Sequence, residues 1–327
     1  MTKILVTGAN GFLGSWVVKM LLQQGHQVYS LVRAASDLSE LQGLNTHFVY
    51  GDVTDISSLQ KAFSGMDAIF HLAGVIAYKS SARAMMEKVN VQGTANVIEV
   101  CLQLKIPRLV HLSSVVAVGA GFTDLEVLNE NSIYNISHLN MGYFETKRKA
   151  EELVVKACRE RQLNAVILNP STIYGAGDAR KGSRGMQLKV AQGKLKFFPK
   201  GGVNVVAVED VVAGMISAWK MGRNGERYIL AGENLLIKDL FRIIAEEAGT
   251  KPPFLQLPSW LLHVLGFIGD FIEKCGGPAT FSRENAYSAT MYHWFDASKA
   301  KRDLNFQPRP AREAIANSVR WIKENKL

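Results

Sequence analysis

The chain has 327 residues, 47% of them hydrophobic and 20% charged, the balance of a soluble globular protein with a core large enough to enclose a site. Its formal net charge of +9 comes from lysines and arginines spread along the chain with no dense aromatic-interleaved run. That argues against a nucleic-acid partner and leaves an anionic cofactor and ordinary solvated surface to account for the surplus. Cys101, Cys158 and Cys275 have neither CxxC nor metal-ligand spacing, so no disulfide framework and no metal is expected, and a reducing, cytoplasmic setting suits them.

From Met1 the chain runs straight into a strand pattern, without the layout of a signal peptide. Lys3 to Thr7 predicts a short buried strand, Phe12 to Gln24 a helix ended by Gly25, and Gln27 to Arg33 and Thr46 to Tyr50 two further strands. Ala68 to His71 follows as a fourth strand, Met85 to Leu104 as a long helix and Leu109 to Ser113 as a fifth strand. Tyr143 to Arg161 is a second long helix and Ala165 to Asn169 a sixth strand. Short apolar runs alternating with helical patterns predict an α/β fold, a Rossmann-type doubly wound parallel sheet.

After Asn169 the pattern changes. Gly and Lys become frequent from Gly175 to Gly202, and Val205 to Met221 reads as a strand end and helix returning to the sheet. Beyond Ala231 the chain is helical and loop-rich, broken by Pro252, Pro253, Pro258, Pro308 and Pro310. The expected division is a dinucleotide-binding domain of residues 1–172 plus 203–230, with a smaller substrate lobe of 173–202 plus 231–327. The most apolar stretch, Leu257 to Ile272, contains Pro258, His263 and Asp270 and falls short of the ~20 apolar residues of a membrane span. No stable membrane insertion is expected. The stretch reads as one or two amphipathic helices over a pocket, with peripheral membrane contact as the alternative.

The turn Thr7-Gly8-Ala9-Asn10-Gly11-Phe12-Leu13-Gly14 joins the first strand to the first helix. Its glycines let the backbone approach a pyrophosphate, and the helix start offers N–H groups and a positive dipole. The spacing is GxxGxxG rather than the commoner GxGxxG. Gly8, Asn10, Gly11, Phe12, Leu13 and Gly14 are therefore candidate cofactor residues. The second strand ends at Arg33, where NAD-specific enzymes usually carry an acid for the ribose 2′-OH; an Arg there can neutralise a 2′-phosphate, so NADP(H) is favoured over NAD(H). The alternative is a plain surface Arg. Asp52, followed by Val53, can accept a hydrogen bond from the adenine amino group, or can simply start the next helix.

Tyr143 and Lys147 stand at i and i+4, on one face of a helix. A phenol titrates near ~10 in water, and a neighbouring ammonium together with the nicotinamide charge is expected to lower that value. Ser113-Ser114 follows the fifth strand upstream, where a hydroxyl can hydrogen-bond a substrate carbonyl. No one of these signals is specific, since Gly-rich turns, paired serines and YxxxK all recur by chance. Their combination in this order is specific.

The combination resembles the extended short-chain dehydrogenase/reductase family over nearly the whole chain. TGANGFLG at Thr7, HLAG at His71, NVQGT at Asn90, HLSSVVAVG at His111, YFETK at Tyr143 and NPSTIYG at Asn169 look like its landmarks in order. VEDV at Val208 and FDASKA at Phe295 continue the match. The resemblance implies that Ser114, five residues before Gly119, rather than Ser113 is catalytic beside Tyr143 and Lys147. It also implies that Ala73, Gly74, Pro170, Ser171 and Thr172 line the ribose and nicotinamide, and that the two long helices pair in a homodimer. Dihydroflavonol 4-reductase-like and 3β-hydroxysteroid dehydrogenase-like members look most similar.

A small carbonyl or alcohol substrate is then expected, reduced with Tyr143 as acid, Ser114 orienting the carbonyl and Lys147 restoring the Tyr143 proton. Trp260, Leu261, Leu262, Leu265, Phe267 and Ile268 would supply an apolar lid, or else plain lobe core. The competing reading is a nucleotide-sugar epimerase or dehydratase with bound NAD, against which Gly201 to Val206 lacks a diphosphate-binding Arg; Arg180, Arg184 or Arg283 could still serve. A non-catalytic cofactor-binding protein is a third class, disfavoured because Tyr143 is present.

Overall fold

The computed structural model describes residues 1–179, 185–278 and 281–327. The first part alternates strand and helix: β1 (Lys3–Thr7), α1 (Phe12–Gln23), β2 (Gln27–Val32), β3 (His47–Tyr50), α2 (Ile56–Phe63) and β4 (Ala68–His71). A helical rod then runs from α3 (Arg83–Met86) through a π-helical stretch, Glu87–Gln92, into α4 (Gly93–Gln103). β5 (Arg108–Leu112), α5 (Gly142–Arg161) and β6 (Ala165–Pro170) complete this part.

The remainder comprises β7 (Thr172–Tyr174), α6 (Gly185–Ala191), β8 (Phe197–Pro199), β9 (Gly202–Ala207), α7 (Val208–Met221), β10 (Arg227–Leu230) and β11 (Glu233–Leu236). It continues through α8 (Ile237–Ala248), β12 (Leu255–Leu257), α9 (Ser259–Lys274), α10 (Arg283–Thr290), β13 (Tyr292–His293), α11 (Ser298–Leu304) and α12 (Ala311–Glu324).

Seven strands form the main sheet in the order β10-β6-β5-β4-β1-β2-β3, every neighbouring pair parallel. Successive side chains point to opposite faces of a strand. Ile4 and Val6 therefore pack with Val28, Phe70 and Val110 into a core shared with α1 and α7. Leu5 faces the other way, with Ile69, Leu109 and Ile167, toward α2, α4 and α5. Both faces are covered, so these strands read as continuous apolar runs. The strand order reverses between β1 and β4, which places a crevice at their carboxyl ends.

Two expectations change in detail. The strand read at Val205 is β9, and it joins a second sheet of order β11-β9-β13, with β7 also on β9, not the main sheet. Only the helix after it, α7, returns to pack on β5, β6 and α1. The long helix read from Met85 to Leu104 carries a π-helical stretch in the middle, and the Asn90 side chain within it bonds the Val75 backbone. No helix among the described residues is long and apolar enough to cross a membrane.

Candidate active site

The Gly-rich turn closes over the β1–β4 crevice. Gly8 has φ +68, a region that favours glycine, and a Cβ there would sit 2.7 Å from the Ala73 nitrogen. A Cβ on Gly14 would lie 2.1 Å from the Gly8 carbonyl oxygen, so the start of α1 can approach β1 only without side chains. Gly11 donates its N–H to the Gly8 carbonyl at 3.0 Å and stands at the N-cap of α1 with no side-chain cap, leaving first-turn N–H groups for an anion. Phe12 and Leu13 form that first turn, Leu13 buried.

Asn10 donates to the Asp37 carbonyl at 3.0 Å, tying the turn to the loop after β2. Arg33 begins that loop, one residue beyond β2, with its side chain exposed. Asp52 accepts both the N–H and the hydroxyl of Thr54 at 2.9 Å, while Asp55, not Asp52, caps α2. Val53 is buried and its carbonyl accepts from Asn96 at 3.0 Å. These surroundings make a cradle that suits a dinucleotide.

Tyr143 and Lys147 lie in the first turns of α5, both buried. Ser114 is the N-cap of the short turn Val115–Ala117, and its hydroxyl is within hydrogen-bonding reach of the Tyr143 phenol. Ser113 is more deeply buried, and its hydroxyl has no hydrogen-bond partner among the described residues. The Lys147 ammonium donates to the Leu112 carbonyl at 2.9 Å. A Cβ built on Gly74 would stand 3.6 Å from that ammonium and 3.3 Å from Asn90 Oδ1. The Ala73–Gly74 corner thus links the cofactor crevice to the Tyr–Lys pair.

The electrostatics depart from the sequence expectation for Tyr143. Burial, and then the nearby Tyr78 phenol, push its pKa up, while the Ser114 hydrogen bond pulls the other way. Without a cofactor charge the ammonium does not reverse the cost of desolvating a phenolate. Burial lowers Lys147 to about 8, and the Glu151 carboxylate opposes the shift.

A family model described as the NAD dependent epimerase/dehydratase family matches residues 4–231. The chain belongs to that family. It is 31% identical over 99% of both chains to the sterol demethylase protein B of Methylococcus capsulatus. It is 29% identical to a putative dihydroflavonol 4-reductase of Synechocystis, covering 98% of this chain and 94% of the other. Among solved structures, the crystal structure of gox2253 superimposes with a TM-score of 0.88 at 33% identity, over 99% of both chains. As a member of this epimerase/dehydratase family the protein is an NAD(P)-dependent enzyme.

Several side chains around the family's site were not singled out from the sequence. Asn90 accepts the Val75 N–H at 2.7 Å and donates to Val75 and Thr146, fixing the loop after Gly74; its place in NVQGT was the available signal. Asn169 donates to the Ser114 carbonyl at 2.9 Å and to Glu151 at 2.6 Å, and Glu151 pairs with Arg227 at 3.0 Å. Tyr78 packs edge-on to Tyr143 with ring centroids 6.1 Å apart. Nothing local in the sequence marks Glu151 or Tyr78.

The residues after β6 turn partly away from the crevice. Pro170 ends β6, the Ser171 hydroxyl bonds Asn204 of β9, and Thr172 begins β7.

A cavity of about 570 Å³ lies in the second lobe between α6, β8 and α9, walled by Leu195, Phe198, Leu262, Leu265 and Ile268. Helix α10 lies between it and the Tyr143–Lys147 pair: Ala289 lines the cavity, and Tyr287 packs against the apolar cluster that contains Tyr143. The stretch expected to be lid or core is divided. Leu262 is buried at the cavity wall, Leu265 and Ile268 line the cavity while staying exposed, and Trp260 and Phe267 are exposed outside it. Of the arginines considered for a diphosphate, Arg283 pairs with Asp270 and lies over the Phe267 ring; Arg180 and Arg184 fall outside the described residues.

Proposed function

We propose that the protein is an NADP(H)-dependent reductase of a ketone or aldehyde of low polarity. The surroundings of Tyr143 carry this reading: Met86, Ile136, Met141, Phe144 and Met291 form one buried cluster with it, and Val75, Tyr78 and Tyr287 pack against that cluster, an apolar environment that suits a low-polarity ligand. The names of two relatives, a sterol demethylase protein and a putative dihydroflavonol reductase, agree with it.

In this reading Gly8, Asn10, Gly11, Phe12, Leu13 and Gly14 hold the pyrophosphate, Arg33 the 2′-phosphate, and Asp52 and Val53 the adenine. Ala73, Gly74, Pro170, Ser171, Thr172 and Lys147 border the ribose and nicotinamide. When bound, the reduced cofactor supplies a hydride. Ser114 orients the substrate carbonyl by a hydrogen bond. Tyr143, kept protonated by burial, donates its proton to the carbonyl oxygen. Lys147, one turn along α5, is the cation that stabilises the phenolate and from which it is reprotonated. We further propose a homodimer built on the α4 and α5 faces.

A nucleotide-sugar epimerase or dehydratase is the second reading, favoured by the family's own description and by Lys189 and Lys194 at the cavity wall. Following NADPH oxidation with ketones and aldehydes of increasing apolar bulk, alongside UDP-, dTDP- and GDP-sugars, tests the choice. The reductase reading requires turnover that rises with apolar bulk and is absent with nucleotide sugars.

A further inference from the structure

Helix α9 divides its side chains among three surroundings. Leu262, Gly266 and Gly269 are buried at helical spacing. Leu265, Ile268 and Ile272 wall the cavity and are themselves exposed. Trp260, Val264, Phe267 and Phe271, at i, i+4, i+7 and i+11, face outward, with Trp260 67% and Phe271 68% exposed. Exposed Phe197 lines the same cavity as Leu265 and Ile268, and the β8–β12 pairing sets it opposite exposed Leu255, which follows exposed Phe254. Scattered exposed apolar residues are ordinary, but a contiguous aromatic and aliphatic face marks a contact surface.

The charges around this face are sorted by sign. Asp270 is the one carboxylate from Thr250 to Ile272, and it is turned inward, accepting the Arg283 N–H at 3.1 Å. Glu273, next on the helix, accepts from Ser80 and Ser81. The rim is basic. From Lys189 to Lys200 the chain holds Lys189, Lys194, Lys196 and Lys200 with no acid, and all four are exposed, as are Lys251 and Lys274.

We propose that this face docks on an anionic lipid bilayer, with α9 lying in the plane of the interface. Trp260, Phe267 and Phe271 enter the headgroup–acyl boundary, and the lysine rim meets the lipid phosphates. An amphipathic helix with aromatic residues on one face and surrounding cations has the composition for this. Lysines near an anionic leaflet add an attraction that salt screens. A second copy of the chain fits the same face poorly, because a two-fold contact sets the same patch against itself and brings one lysine rim against the other. Since α9 also walls the cavity, docking places the cavity beside the lipid. The proposal stands on the patch and its charges, independent of the cofactor preference and reaction direction.

Flotation of the full chain, with NADPH present, on phosphatidylcholine vesicles and on vesicles of phosphatidylcholine with phosphatidylglycerol tests it. We expect binding to the anionic vesicles at least about tenfold stronger than to the neutral ones, weakening with salt. The variants Phe267→Ser/Phe271→Ser and Lys196→Glu/Lys200→Glu/Lys251→Glu should each lose about tenfold, with NADPH affinity and unfolding midpoint unchanged. On the wild type, anionic vesicles should shift tryptophan fluorescence to shorter wavelength, and Trp260→Tyr should remove the shift; this reading survives even if a multiple variant folds poorly. Absence of binding to anionic vesicles overturns the proposal, as does binding that the Phe substitutions leave intact. A solution dimer that Phe267→Ser/Phe271→Ser dissociates also overturns it, because a second copy then covers the face.

Discussion

Glu284 of α10 accepts the backbone N–H of Gly142, the first residue of the helix that carries Tyr143 and Lys147, at 2.8 Å. That helix has no side-chain cap of its own at Met141, so a carboxylate from the second lobe serves the terminus where negative charge is favoured. Burial raises the Glu284 pKa, while the Gly142 N–H and Arg83 pull it down. Helix α10 therefore touches α5 directly at its N-terminus, one residue before Tyr143.

Replacing Glu284 by Ala leaves that N–H without its partner and should cost about 1–3 kcal/mol of stability, the range for an unsatisfied buried donor. Glu284→Gln keeps an acceptor oxygen and should recover most of it. Urea unfolding of the three proteins measures the order; equal stabilities for Ala and Gln would show that the contact does not cap α5.

Tyr143→Phe should reduce kcat by at least about a hundredfold, the lower range for a lost general acid, and leave NADPH binding intact because the Gly8–Gly14 turn lies elsewhere. Fluorescence titration with NADPH together with steady-state kinetics separates the two effects. Turnover above about a tenth of wild type would remove Tyr143 from the role.

Lys147 is pulled to about 8 from 10.5 by burial, against the opposing Glu151 carboxylate. Its folded pKa lies below its unfolded one, so between those two values the unfolded chain binds more protons. Stability from this group therefore rises with pH across that window and is lowest below it, where the folded protein must bury the charge. The Lys147→Met variant should lack this rising component in urea unfolding followed from pH 8 to 10.5. In catalysis the sign is opposite: kcat/KM should fall as the ammonium is lost above about 8. Glu151→Gln should move that fall to lower pH, whereas a purely structural role for Glu151 would lower activity without moving the profile.

Much of the first lobe is legible because its determinants are local. Ile4, Leu5 and Val6 are an apolar run that only a two-sided sheet can bury, and the glycine spacing at Gly8, Gly11 and Gly14 follows from how closely the turn after β1 approaches α1 and the chain after β4. The i, i+4 spacing of Tyr143 and Lys147 likewise fixes a shared face. What is hidden depends on distant partners: the cap from Glu284 across 142 residues, the bonds from Asn90 to the Val75 backbone, and β9 pairing in the second sheet instead of the main one. The apolar stretch of α9 is the clearest case. Its composition does not reveal which of Leu262, Leu265 and Phe267 faces core, cavity or solvent until α10 and β8 are placed beside it.

Arg33 stands exposed where β2 ends, and Asn10 holds the following loop against the Gly-rich turn through the Asp37 carbonyl. A guanidinium at that edge favours a 2′-phosphate and disfavours nothing in NADPH, while a carboxylate would accept from the 2′-OH of NADH and repel the phosphate. The wild type should therefore show higher kcat/KM with NADPH than with NADH. Arg33→Asp should reverse the ratio by loss of one charge-assisted contact and gain of one repulsion, a swing of at least about tenfold for each 1.4 kcal/mol. Both cofactors share the pyrophosphate and nicotinamide, so a change confined to NADPH isolates the 2′-phosphate, and a parallel loss with both would mean that the substitution disturbs the β2 loop. A wild-type preference for NADH, or a ratio that Arg33→Asp leaves unchanged, would show that the selector lies elsewhere.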